Sequence, residues 1–551
     1  MQPQSALPSD SALRLAVDIR RLPWMRRLAV DYAFDYPRLA PFFAGDPSQP
    51  SAWSDAIRAA RRVDRPRAEF AAVLVAQQER RGAPPPAIEA ARQLAQPDTV
   101  AIVTGQQAGL FGGPLFTLLK AVTTIRLAQR IAREHHTPVV PVFWIDAEDH
   151  DWEEVRSCAV LDADLDLITI EAQAPEGAGE RAVGALAWND DIVDTVDSLR
   201  AALPGTEFTD WAHDLVRTSY QPGHGAAGSF GRLLESLLGG HGLVVFDASD
   251  RAAKPFVSGL FVRELEQAGA TALSAARAGA ELVSRGYHMQ VTPHADSAAL
   301  FAIDRGRRAV RRSGEAFVLG EEQVPAAELI ARARRQPETF SPNVLLRPLV
   351  QDTLFPTICY VPGPNELAYL AQLKGVYEAF GVPMPLMQPR ATATLLDSQG
   401  ARFLGRYPVP FEQLRAQNEH ALNELLKTLL PPAVERVIAQ AEAAIAERME
   451  AIIAAMPAVD PTLEGKARSV LGRMQHELGT LHNKVLQAAK RRDETLRRQF
   501  MHVRAQAFPG GHPQERVVGG ISFLNRYGPA LVGCLLEELP LDGGTHWVVT
   551  I

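Results

Sequence analysis

"TGQQAGLFGGPLFTLLK", from Thr104 to Lys120, places four glycines and two adjacent glutamines between an apolar run and a helical pattern. Upstream, "DTVAIV" (Asp98 to Val103) is a short β-branched run that reads as a strand. Downstream, "PLFTLLKAVTTIRLAQRIARE" (Pro114 to Glu134) has the apolar recurrence of a helix with proline in its first turn. "TPVVPVFWI" (Thr137 to Ile145) then reads as a second buried strand. Strand, glycine loop, helix and strand with a short return make a parallel βαβ crossover. In such sheets ligands gather outside the carboxyl ends of the strands, and a helix N-terminus offers N–H groups to anions. Gly105, Gly109, Gly112 and Gly113 would let the backbone close around a ligand, and Gln106 and Gln107 could orient a polar substrate without adding charge. The spacing matches neither GxGxxG nor GxxxxGK[ST], so neither nucleotide motif is assigned, and a plain flexible turn stays open as the alternative. Lys120, one to two turns into the helix, is read as a surface residue.

"DAEDHDWEE" (Asp146 to Glu154) follows the second strand directly and so falls at the same carboxyl edge. Glu148, Asp149, His150 and Asp151 are the candidate catalytic residues, because carboxylates sharing a cleft raise one another's pKa and suit acid, base or cation-binding work. A solvated acidic loop is the bland alternative. A Mg²⁺ or Zn²⁺ site is a third, but one acidic hairpin does not define metal geometry, and no metal ligand is assigned. "GLVVFDASD" (Gly242 to Asp250) reads as a further strand, after the helix "GSFGRLLESLL". In "ALFAIDRGRRAVRRSGEAFVLG" (Ala299 to Gly320) the arginines 305, 307, 308, 311 and 312 read as the wet face of a hairpin. From Phe340 to Arg390 the strand, loop, helix, strand grammar repeats, and "PGPNE" brings Asn365 and Glu366 to the same edge.

After Arg390 helical periodicity takes over. Val434, Ile438, Ala441, Ile445, Ile452 and Met456 form one stripe; Leu471, Met474, Leu478, Leu481, Val485 and Ala488 form another. Two long antiparallel helices are expected, with Asp460 and Pro461 starting the second. Such a hairpin buries little by itself, so a second copy of the chain is the expected partner. "KRRDETLRR" (Lys490 to Arg498) reads as a solvated helix face.

The chain is 46% hydrophobic and 22% charged, the composition of a folded globular protein, and its 551 residues suggest three or four domain-sized units or one large core with insertions. A net charge of −7 gives no attraction to nucleic acid, and no apolar run approaches a membrane span. Three widely spaced cysteines fit neither zinc nor disulfide patterns, and the N-terminus lacks the order of a secretion signal, so a cytoplasmic location is expected.

"TGQQAGLFGGPLFTLLKA", "VPVFWIDAEDHDWEEV", "NVLLRPLVQDTLFPTICYVPGPNELAYLAQLKGVYEAFGVP" and "PGGHPQERVVGGISFLNRYGP" follow one another in the order seen in the BshC family, the cysteine-adding enzymes of bacillithiol biosynthesis, and the chain resembles that family over nearly its whole length. The resemblance implies an α/β fold: a Rossmann-like parallel sheet core over residues 1–390, with inserted segments near 155–235 and 255–340. It implies a helical coiled-coil domain over 391–551 that mediates a homodimer and ends in a segment returning to the core. It further implies ligation of L-cysteine to the amine of glucosaminyl malate, with ATP the expected co-substrate and Mg²⁺ an option. The Gly105 to Gly113 loop and the Glu148 to Asp151 cluster fall at the implied pocket, with Arg347, Gly363, Asn365 and Glu366. His512, Gln514, Glu515 and Arg516 match the family's C-terminal motif, either in the cleft or as an anchor to the core. The expected roles are backbone N–H groups of Gly112 and Gly113 on an anion, Glu148 or Asp149 on an amine, and His150 as proton acceptor. Two rival readings are a metal-dependent hydrolase or deacetylase acting on an amino-sugar conjugate, and a non-catalytic coiled-coil scaffold.

Overall fold

The apolar runs flanking the glycine loop are neighbours in one five-stranded parallel sheet. In chain order the strands are β1 (Val100–Gln106), β2 (Val139–Ile145), β3 (Val244–Asp247), β4 (Thr357–Tyr360) and β5 (Leu386–Met387). Across the sheet they stand β5-β4-β1-β2-β3. The computed structural model describes residues 14–304, 306–429, 432–492 and 494–551.

β1 and β2 are covered on both faces, so they read as continuous apolar runs instead of alternating ones. Ala101 and Val103 join Val140, Val142, Trp144, Val244 and Phe246 in one core. Val100 and Ile102 turn the other way, against Ile358, Val361 and Leu127, Ala128 and Ile131 of helix α1 (Leu115–His135). The order reverses about β1, with β2 and β3 on one side and β4 and β5 on the other. A crevice therefore opens between the carboxyl ends of β1 and β4, the topological switch point of such a sheet. β1 runs past β4: Val103 lies opposite Tyr360, and Gln106 still pairs with Ile145.

Antiparallel sheets surround this core. One pairs Ser157–Leu161 with Leu167–Glu171. A five-stranded meander contains Ser297–Ala302, Arg308–Ser313, Ala316–Leu319 and Glu322–Pro325, with Phe340–Pro342 at its edge. A three-stranded sheet joins Arg14–Asp18, Thr545–Thr550 and Thr392–Leu396. Backbone contacts divide the chain into a compact unit of residues 14–394 and 514–549, and a second of residues 395–513.

In the second unit, helices α2 (Pro432–Ala455) and α3 (Leu463–Arg492) run antiparallel, as Glu435 meets His482 (3.0 Å) and Glu450 meets Arg468 (3.5 Å). The turn closes on Asp460, whose Oδ1 accepts from the N–H and hydroxyl of Thr462, both at 2.8 Å. Val434, Ile438, Ala441 and Ile445 are half-buried, while Ile452, Met474 and Leu481 are exposed. Part of the basic stretch beginning at Lys490 falls outside the described residues.

Candidate active site

A cavity of about 560 Å³ occupies the crevice between β1 and β4. Gly105, Gln106 and Gln107 at the end of β1, and Tyr360, Gly363, Asn365 and Glu366 at and beyond the end of β4, form facing walls. Glycine suits position 105 because a Cβ there would crowd the Trp144 carbonyl oxygen on β2 at 3.0 Å.

The glycine loop turns the chain, and its own backbone stays out of the cavity. Gly112 and Gly113 have φ of 90° and 69°, and a Cβ on Gly109 would meet Gly113 Cα at 3.0 Å. The Gly112 N–H is held by Gly109 O (3.2 Å) and Tyr220 Oη (3.3 Å), and the Gly113 N–H by Leu110 O (3.0 Å). Leu115, first residue of α1, donates to Val518 O at 2.8 Å. The expectation that Gly109, Gly112 and Gly113 bind substrate is therefore corrected: their donors are used within the fold, and none of the three lines the cavity. The turn instead aims Phe116 and Lys120 of α1 inward.

Lys120 is also corrected, from the surface to the interior. It is 1% exposed, and its Nζ donates to Gly105 O (2.6 Å) and Gln106 Oε1 (3.1 Å) and pairs with Glu366. Its three donors thus meet three acceptors, tying β1 to the β4 loop. Burial pulls its ammonium below the ordinary value, against the hold of Glu366. The Glu366 carboxylate also accepts from the Gly363 N–H (2.9 Å) and Tyr360 Oη (3.1 Å).

The acidic stretch divides. Glu148 is buried in an ion pair with Lys254. Burial raises its carboxyl against the pull of that lysine. Asp149 accepts from Gln107 Nε2 (2.9 Å) and from Arg307 (2.9 Å). Burial would raise Asp149, but Arg307, His150 and Gln107 outweigh it and hold the carboxyl below its ordinary value. Asp146 and Glu154 also line the cavity, and burial raises both. Arg347 lies 3.8 Å from Asp146 and opposes that rise.

His150 and Asp151 are not among the residues lining the cavity. His150 Nδ1 sits against Asp149 (3.1 Å) and Arg307 (3.0 Å) at the rim. Asp151 is exposed and caps the short helix Trp152–Val155 by accepting from the Glu154 N–H at 3.2 Å. The expectation that these two act directly in the cleft is corrected on that geometry.

Several cleft residues had no sequence assignment. Arg307, read as part of a wet hairpin face, enters from the turn after Gly306 and stacks 3.9 Å over the Phe301 ring. Arg390 lines the cavity and holds Glu515 through two hydrogen bonds of 2.9 and 2.8 Å. Of the C-terminal motif, Arg516 lines the cavity, Glu515 and Gln514 are buried behind it, and His512 lies in the other unit.

Among the described residues, Trp144 Nε1, Arg307 Nε, Arg390 Nε and Gln107 Oε1 are buried without a hydrogen-bond partner, and all four side chains border this cavity. Natural proteins leave few such groups, and a set converging on one cavity marks where a polar ligand completes them.

A family profile described as "Bacillithiol biosynthesis BshC, N-terminal Rossmann-like domain" matches residues 16–391. A second, "Bacillithiol biosynthesis BshC, C-terminal coiled-coil domain", matches residues 393–551. The chain belongs to the BshC family. It is 36% identical over 529 residues to a Salinibacter ruber protein named "Putative cysteine ligase BshC", covering 95% of this chain and 96% of the relative. Proteins of the same name from Koribacter versatilis (35% over 461 residues; 83% and 85% covered) and Chlorobaculum tepidum (33% over 466 residues; 81% and 82%) are similar across both units. The cleft lies at the carboxyl edge of the Rossmann-like sheet of this BshC-family chain, where Asp146, Asp149, Arg307, Arg347 and Arg390 come together. Among the described residues no helix is long and apolar enough to cross a membrane.

Proposed function

We propose that this chain is a carbon–nitrogen ligase that joins the carboxylate of L-cysteine to the amine of glucosaminyl malate, forming bacillithiol. The observation that carries the reading is the convergence of unpartnered buried donors and an unpartnered acceptor on a switch-point cavity that mixes cations with carboxylates. Both substrates carry amines and carboxylates, so each needs a wall of either sign. A volume near 560 Å³ also falls in the usual range for small-molecule sites.

An amide does not form appreciably from a free carboxylate and an amine in water, and ATP as co-substrate would supply the activation. Side chains fit its phosphates better than the glycine loop does, since the loop's N–H groups are spent internally, whereas Arg307 and Arg390 keep buried donors open. Gln107, oriented by its bond to Asp149, presents Oε1 as an acceptor, and Asp149 adds a carboxylate kept charged beside it; together they suit an ammonium. Asp146 is the proton acceptor for the attacking amine in this reading. It faces the cavity, and its raised pKa makes it a stronger base than an ordinary aspartate. Glu148, Asp149 and Asp146 are engaged by Lys254, Arg307 and Arg347, and this pairing with protein cations speaks for charge tuning over metal ligation.

The helical hairpin supports a homodimer, because Val437, Ile452, Met474 and Leu481 remain exposed along it. Incubation with cysteine, glucosaminyl malate and ATP, followed by mass spectrometry for bacillithiol and for AMP or ADP, tests the reading. Hydrolysis of a conjugate without ligation would favour the hydrolase alternative.

A further inference from the structure

Arg390 and Glu515 stand 125 residues apart in sequence yet form a forked pair deep in the wall of the cleft, 3% and 4% exposed. Arg390 NH1 and NH2 are committed to Glu515, and NH1 also donates to Ala391 O at 2.9 Å. The Glu515 carboxylate is in turn fixed by the Ala393 N–H at 3.1 Å. Burial would raise that carboxyl, but Arg390 overrides it and keeps it charged. This fork leaves one guanidinium nitrogen, Nε, buried without a partner.

That donor lies beside the β4 loop. A Cβ built on Gly363 would lie 3.9 Å from Arg390 Nε and 2.9 Å from Glu366 Oε1, so the absence of a side chain at Gly363 keeps Nε close to the loop that lines the cavity. The Phe116 ring covers the guanidinium from the α1 side, 5.5 Å away. Lys120, Arg347 and Arg516 share this end of the cavity, and with Arg390 they outnumber the carboxylates of Glu366, Glu515 and Asp146. His546 packs behind, and burial lowers its pKa to about 4, so it adds no charge near neutrality.

We infer that Arg390 is the anion anchor of the cleft, its Nε–H donating to a carboxylate or phosphate oxygen of a substrate, and that Glu515 is a positioning residue that fixes the fork from behind. A guanidinium on a flexible stem would lose rotamer freedom on binding; one already clamped binds with its geometry set. The inference rests on the ligase reading for the identity of the substrates. It does not depend on it for the existence of an anion site.

Three titrations of the full-length protein, with glucosaminyl malate, L-cysteine and ATP separately, identify the source of the anion. One of them should weaken about tenfold to a hundredfold in Arg390→Lys, the weight of one charge-assisted hydrogen bond in its proper geometry. Glu515→Gln keeps the side-chain shape but loosens the clamp. It should raise KM for that same substrate about tenfold while kcat stays within about threefold, a split that general loss of folded protein does not produce. If no ligand binds the wild type, or if affinity is unchanged in Arg390→Lys, the anchor is refuted. If wild-type protein makes no bacillithiol but one titration still weakens in Arg390→Lys, the ligase reading fails and the anchor stands. Ligation with unaltered KM in both variants sinks the anchor and spares the reading.

Discussion

Replacing Lys254 by Met leaves the Glu148 carboxyl without its cation in a place where neither side chain exceeds 6% exposure. Removing one member of a buried ion pair costs about 3–5 kcal/mol, because the remaining charge stays desolvated. The α/β unit holds roughly 400 residues, and at about 2.1 cal/mol/K each its unfolding entropy is about 0.8 kcal/mol/K, so Lys254→Met should lower the melting temperature of that unit by about 4–6 °C. The sign of the pH dependence follows from Glu148. Burial raises its folded pKa, so the folded state binds more protons than the unfolded one between the two pKa values, and stability falls as pH rises through that window. The deficit of Lys254→Met should therefore be larger at pH 8 than at pH 5, because the raised Glu148 carboxyl takes up its proton as pH falls. Scanning calorimetry at both pH values is the assay, with Glu148→Gln/Lys254→Met as the control that recovers most of the loss. A melting temperature within a degree of wild type, or a deficit equal at both pH values, would refute the claim that this is a buried, charge-dependent brace.

Asp151→Ala should cost about 1 kcal/mol, the worth of a helix cap, and retain ligation within a few-fold, whereas Asp146→Asn should lower kcat by about a hundredfold or more and remove the acid limb of its pH profile. That limb should lie above the ordinary aspartate range, since the base must be deprotonated and its pKa is raised. Charge placed on the helical hairpin by Met474→Glu and Leu481→Glu should convert a dimer to a monomer in light scattering, with the melting of the α/β unit unchanged.

The parallel sheet was legible because its strands are buried on both faces and punctuated by glycine and proline. Lys120 reads as a surface residue by its charge, although the helix carries a signal for burial. Leu115, Leu118 and Val122 mark one face of α1, Leu127 and Ile131 mark the opposite face on which Lys120 falls, and a helix apolar on both faces buries what sits on it. Arg307 had no such signal: alternation disperses strand residues, but this arginine leaves a turn beside Gly306, φ 82°, to reach Asp149 from 158 residues away. The glycine loop reads as a ligand cradle, and what fills its donors is visible only in the tertiary structure. Its backbone donors read as free, but Gly109 O, Leu110 O and the Tyr220 hydroxyl accept from them in the fold. Glu515 and Arg390 illustrate the same limit, since only folding shows which arginine the motif glutamate holds.

The most direct test of cysteine activation uses L-cysteine labelled with ¹⁸O in its carboxylate. Amide formation makes one C–N bond and breaks one C–O bond, so one labelled oxygen must leave with the activating group. With wild-type protein, glucosaminyl malate and ATP, the account predicts bacillithiol retaining one label at the new amide carbonyl and one label appearing in AMP or inorganic phosphate. Bacillithiol formed with no label in either phosphorus-containing product, or no bacillithiol at all, would contradict it.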